Sequence, residues 1–207
     1  MLDIDQAKDA ILLAALPHVV FDGWTQAVIE RGAQDAGYDS FAAIRAFPGG
    51  PAELVEHFAD WADRQMLDAL SVHDLAAMRT RDRVALAVRT RLELLAPHQE
   101  AVRRSLSFLA LPQNAPQAAR QVYNTVDRIW LAAGDTATDF NFYTKRLLLA
   151  GVYSATLLRW LDDKSEGFTA TAAFLDRRLA DVMRIEKAKG KLRQFADRLS
   201  PRGFRRA

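Results

Sequence analysis

The chain holds four histidines, the side chains that titrate nearest neutrality, and no cysteine. His18, His57, His73 and His98 fall at the ends of different segments, and none forms His-Glu-x-x-His or a second clustered ligand pair. A di-iron carboxylate bundle needs Glu-x-x-His on two helices. The nearest candidate, Glu53 with His57, is spaced by four, with Leu54 where the glutamate belongs. There is no Gly-x-Ser-x-Gly elbow, no phosphate loop and no dinucleotide fingerprint. Pro48-Gly49-Gly50-Pro51 is glycine-rich but lacks the lysine of a phosphate loop, so it reads as a turn between helices. The missing thiols exclude a disulfide framework, cysteine-ligated zinc, iron–sulfur clusters and a thiol nucleophile. A protein without catalysis, cofactor or metal is expected.

The stretch richest in binding chemistry is Ala133-Gly134-Asp135-Thr136-Ala137-Thr138-Asp139-Phe140-Asn141-Phe142-Tyr143-Thr144-Lys145-Arg146. Gly134 closes one helix, and Thr136 with Asp139 caps the next. Capping leaves Phe140, Phe142 and Tyr143 unexplained: successive helical residues point about 100° apart, so three aromatics this close do not share one core face. Either one is an exposed anchor for a protein partner, or two are core and one lies under a loop. Lys145 and Arg146 precede the most apolar run, Leu147 to Leu158. A cation there suits either a lipid phosphate at the mouth of an apolar pocket or a salt bridge to an acid such as Asp162. The run itself has 12 uncharged residues, short of the roughly 20 that cross a bilayer.

A second feature is the C-terminal tail. Residues 186–207 carry +6, whereas the rest of the chain carries −4. Leu192, Phe195, Ala196 and Leu199 share one helical face, with Lys191, Arg193, Asp197 and Arg198 off it or at its flanks. Such a short basic amphipathic helix suits an anionic membrane surface; packing on the body or a solubilising end are the competing readings.

Helical periodicity runs throughout, with no alternating strand pattern. Helices are expected at about Asp5–Leu16, Trp24–Ala36, Ser40–Phe47, Pro51–Val72, Arg79–Leu95, His98–Ala110, Pro116–Ala133, Asp139–Leu161, Phe168–Ile185 and Lys191–Leu199. The eighth is apolar nearly all round and reads as the buried centre of a bundle. The fold class is all-α, about ten helices: an N-terminal helix-turn-helix-like module (residues 1–50), a helical bundle (51–186) and a basic tail (187–207).

Three short helices joined by glycine-containing turns are a helix-turn-helix layout. Ala10 to Leu16, Asp22-Gly23-Trp24, Ala33, Ala36, Gly37 and Phe47-Pro48-Gly49-Gly50-Pro51-Ala52-Glu53-Leu54 resemble the TetR family of regulators. DNA chemistry is absent. The candidate recognition helix, Asp39 to Phe47, has one basic residue, and residues 22–50 carry net −2. Counterion release supplies much of DNA affinity, and this surface offers little of it, so no nucleic acid partner is expected.

The run 133–146, followed by Leu161-Asp162-Asp163, Phe174-Leu175-Asp176-Arg177-Arg178 and Asp181-Val182-Met183, resembles the ninth Coq protein family, ubiquinone-biosynthesis accessory proteins of mitochondria and alphaproteobacteria. The resemblance implies a TetR-like fold, often homodimeric, whose pocket holds a phospholipid or an isoprenoid quinone intermediate. It also implies a patch that docks the di-iron enzyme hydroxylating the demethoxyquinone ring. On the matching positions Phe142 and Tyr143 belong to that patch, with Asp139 and Asn141 shaping it, and Arg146 meets the lipid headgroup. Phe142 stands where mitochondrial members carry Trp, which keeps the apolar anchor and loses an indole donor. The last helix contacts membrane through Leu192, Phe195, Leu199, Lys191 and Arg198.

A non-catalytic lipid carrier and presenter is therefore expected, cytoplasmic and peripheral at a bacterial inner membrane, since the N-terminus shows neither a secretory signal nor an Arg-rich presequence. The alternative is a divergent TetR-type regulator with a small apolar ligand.

Overall fold

The computed structural model describes residues 4–135, 140–182 and 184. Among them the regular structure is helical, without a strand: α1 (Ile4–Asp22), α2 (Gln26–Asp35), α3 (Ser40–Ala46), α4 (Gly50–Leu70), α5 (Thr80–Leu95), α6 (Gln99–Leu109), α7 (Ala115–Ala132), α8 (Phe140–Leu161) and α9 (169–182). Short single turns link several of them. The expected tenth helix, with all five membrane-contacting residues assigned to it, lies outside the described residues. So does Asp139. No helix among the described residues is long and apolar enough to cross a membrane.

Local chemistry starts and stops these helices, although the expected caps Thr136 and Asp139 lie outside the described residues. Thr25 caps α2 by accepting from Val28 N, and Asp39 caps α3 by accepting from Ala42 N at 2.7 Å. Gly37 takes φ +80° after α2, a conformation that side-chain-bearing residues rarely adopt. Gly32 is needed for another reason: a Cβ there would lie 2.7 Å from the Ala15 Cβ, so α1 and α2 touch backbone to backbone. Glu53 reaches back to accept from Gly49 N at 2.8 Å and pairs with Lys8 at 2.8 Å, tying the start of α4 to α1.

The first helix is longer than its proline suggested. Pro17 lies inside α1, which continues to Asp22 because the next turn buries Val19 beside Leu16. Burial outweighs one missing hydrogen bond here. After α1–α3, helices α4, α5, α7 and α8 pack as a bundle around Leu54, Met66, Val88, Ile129 and Trp160. Helix α6 bridges α1 and α7.

The eighth helix corrects an expectation. Its inner stripe is Leu149, Val152, Tyr153, Thr156, Leu157, Trp160 and Leu161, spaced for a single face. Its outer side is open: Tyr143 is 67% exposed and Leu147 76%, with Leu158 also exposed. The helix is therefore apolar all round yet buried on one side only, because no described element covers the other.

The turn into α9 is held by Asp163. It accepts from Ser165 N and Oγ at 2.9 and 2.6 Å and from Thr171 N and Oγ1 at 2.7 and 2.6 Å. Burial would raise this carboxyl, but those four bonds hold it well below the usual carboxylate range.

Candidate lipid cavity and docking face

An apolar cavity of about 290 Å³ opens among α4, α5, α6, α7 and α8. Val55, Phe58, Leu95, Val102, Leu106, Val122 and Leu157 are among the apolar side chains of its wall. Arg91, Thr125 and Tyr153, all buried, form the deep part, while Ala110 at the end of α6 is exposed and marks the mouth. The volume lies at the lower edge of the roughly 300–1,000 Å³ range of small-molecule pockets.

Under that cavity runs a chain of charges that sequence reading missed. Asp63, 2% exposed, accepts from Arg91 Nε at 2.6 Å, from Thr125 Oγ1 at 3.0 Å and from Arg128 at 3.3 Å. Arg91 also donates to the Tyr153 hydroxyl at 2.7 Å. Arg128 pairs with Asp60 at 2.6 Å, Asp60 with Arg64 at 2.8 Å, and Arg64 grips Asp9 with two bonds of 2.7 and 2.9 Å. His57 Nε2 donates to the same Asp9 at 2.7 Å. A signal existed: Arg91 continues the buried series Val84, Val88, Leu95 at positions i, i+4, i+7 and i+11, and a charge on an apolar face demands a buried partner.

The network gives stability a pH dependence. Burial lowers His57, and its bond to Asp9 does not restore it; burial also lowers His98. The unfolded chain then binds more protons, so stability falls as pH drops below about 6.5 toward the lowered folded values. Asp9, Glu53 and Asp60 behave oppositely in cause. Burial raises each, but hydrogen bonds from Arg64 and His57, from Lys8 and from Arg128 respectively more than offset it. Together with Asp163 they contribute stability above about pH 4 that is lost below it. Urea unfolding should show two successive losses on acidification, the first reduced in His57→Gln. Greater stability at pH 5.5 than at 7.5, as orders of the titration, would contradict this.

The motif segment lies at the other end of α8. Phe142 is half-buried, and its ring meets Tyr143 edge-on at 5.1 Å between centroids. Asn141 belongs to α8, but its side chain lies outside the described ones, as does that of Phe140.

Arg146 requires a correction. It does not stand at a pocket mouth: it is 3% exposed, donates to Asp127 at 2.6 Å, Asp135 at 3.2 Å and the Phe142 carbonyl at 3.3 Å, and stacks on the Phe142 ring at 3.4 Å. Two carboxylates satisfy its charge, so a lipid phosphate would have to displace one of them. Its partners are not Asp162 either, which pairs with Arg103. Lys145 and Arg81 line a second apolar hollow. That second cavity, about 230 Å³, is bounded by Val84, Trp130, Leu148, Leu149, Val152 and Leu179, directly behind the exposed Tyr143–Leu147 side of α8. Lys145 is itself paired with Asp135 at 2.7 Å.

The exposed side chains of α3 include Phe41, Ile44 and Arg45, and Arg31 is paired with Asp22. Among the described residues no three His, Asp or Glu side chains cluster to hold a metal.

Fold and cavity together define, among the described residues, an all-helical protein of TetR-like architecture with an apolar cavity between its helices. A TetR transcriptional regulator from Nitrosomonas europaea superposes with a TM-score of 0.69 at 22% identity, covering 84% of this chain and 95% of that one, which establishes the fold alone. Residues 115–186 match the COQ9 family model, so this part of the chain is a COQ9-family domain, as the motif implied. Across 87% of the chain, identity is 39% to the mitochondrial ubiquinone biosynthesis protein COQ9 of Rattus norvegicus and 37% to that of Homo sapiens. The chain spans 60% and 59% of the length of those two relatives.

Proposed function

We propose that this protein is a non-catalytic lipid-binding accessory of ubiquinone biosynthesis. It takes up a polyprenyl quinone intermediate or a phospholipid and presents substrate to the di-iron demethoxyquinone hydroxylase. The observation that carries the reading is an open apolar cavity whose one charged lining group, Arg91, is spent on Asp63, in a chain whose relatives are named for ubiquinone biosynthesis. A polyprenyl tail exposed to water loses roughly 0.8 kcal/mol per CH₂, so such a substrate needs an apolar shelter between membrane and enzyme.

The second support is geometric. Tyr143 and Leu147 form an exposed apolar face of the kind that anchors protein partners, and the smaller cavity sits behind it. Tyr143 is ten residues, or roughly 15 Å of helix, from Tyr153 in the larger cavity. A ligand held in either place thus lies near the docked enzyme. The basic tail as a weak membrane contact, peripheral residence at a bacterial inner membrane and a homodimer belong to the same proposal.

The test is organic extraction of the purified protein followed by lipid mass spectrometry. Phospholipid or isoprenoid is expected, and Ala118→Trp, which fills the larger cavity from its half-buried side, should reduce the yield. Extracts free of lipid in repeated preparations would defeat the reading.

A further inference from the structure

Gln121 lies on α7 one turn before Thr125, and it lines the apolar cavity on one side and a polar groove containing Lys8, Glu53, His57 and Asp60 on the other. The residue is 9% exposed, and its amide nitrogen Nε2 is fully buried with no hydrogen-bond partner among the described residues. Buried amide donors are nearly always paired, because leaving one unpaired forfeits its hydration without return. A lone donor in a wall shared by two hollows is what a bound acceptor would complete, once the amide turns toward it.

The other polar groups of the lining are accounted for, apart from the Tyr153 hydroxyl hydrogen. Arg91 is its one charged side chain; it donates to Asp63, to the Tyr153 hydroxyl and to the Ala59 carbonyl. Thr125 donates to Asp63 and Ser105 to the Ala101 carbonyl. The Tyr153 oxygen accepts from Arg91, and no described acceptor takes its own hydrogen. The cavity therefore offers an occupant two neutral donors and no unpaired cation. A phosphate entering it would find no compensating charge and would approach the Asp63 carboxylate.

We propose that this cavity selects the uncharged, oxygen-bearing part of an apolar ligand, with Gln121 Nε2 as the donor that recognises the oxygen and the Tyr153 hydroxyl as a second donor. The acceptor is a neutral carbonyl or ether oxygen, supplied either by a substituted quinone ring or by the ester of a diacyl lipid. The cavity's size, near the lower edge of the pocket range, suits a ring with the first part of its tail. This deepens the lipid-binding reading and rests on it.

Calorimetric binding to the full chain tests it with three probes: a geranyl-substituted 1,4-benzoquinone, geranylbenzene with the same tail and no oxygen, and dihexanoyl phosphatidylcholine. At least one oxygenated probe should bind the wild type about tenfold more tightly than the hydrocarbon, the scale of one buried hydrogen bond to a site built for it. Whichever does so identifies the source of the oxygen. Gln121→Leu, close in volume, should abolish most of that preference without weakening the hydrocarbon, and Tyr153→Phe should reduce it. Equal wild-type affinity for the three probes would overturn the assignment, whatever the variants do. So would a folded Gln121→Leu that retains the full preference. If the wild type binds none of the three, the lipid-binding reading falls with it.

Discussion

Arg91→Met should lower the free energy of unfolding by about 3–5 kcal/mol, because it leaves the Asp63 carboxylate buried without its closest cation. In a chain of 207 residues that corresponds to a fall in Tm on the order of 10 °C. Methionine fills much of the arginine's volume, so the loss reports charge rather than a cavity. The reciprocal change tests the cause. Arg91→Met with Asp63→Leu removes both charges, and replacement of a buried pair by apolar groups is often neutral or stabilising. The double variant should therefore recover more than half of the loss, although Thr125 and Arg128 also lose their acceptor. Thermal unfolding followed by circular dichroism decides it. A single variant within about 1 kcal/mol of wild type would mean that water or a neighbour compensates Asp63.

Tyr143→Lys should abolish capture of the quinone hydroxylase in a pull-down, with affinity falling by about 30-fold or more, the scale of a central aromatic anchor. The Tyr143 ring is held from behind. Asp127 and Asp135 fix Arg146, its guanidinium stacks on Phe142, and Phe142 meets Tyr143 edge-on. A preorganised aromatic loses little freedom on binding, which is why such residues dominate interface energies. Phe41→Lys, on the exposed face of α3, is the matched control: it also places a charge on an exposed aromatic position but should leave capture intact. Equal recovery with Tyr143→Lys and wild type would remove the docking proposal. The same chain of contacts predicts that Arg146 serves the docking face from behind, as a positioning residue.

Helix periods and glycine turns were legible because they depend on residues three or four apart in one segment. Gly37, which ends α2, acts within its own turn. The dense placement of Phe140, Phe142 and Tyr143 offered an exposed anchor as one of two readings for the same reason, and Tyr143 is an exposed ring. The motif around them was local too, and it pointed to the family before any contact was known.

What the sequence by itself left undecided was the fate of each charge and of each second apolar face. Arg146 could have met a phosphate or a carboxylate; only the approach of α7 and its following turn, with Asp127 and Asp135, settled it. The apolar circumference of α8 was visible, but which side would be covered depended on where α5, α7 and α9 came to lie. Asp63, Arg91 and Tyr153 stand 28 and 62 residues apart along the chain and meet only in the bundle. Charge pairing and enclosure are properties of neighbours in space, so a linear pattern signals that a partner is required without naming it.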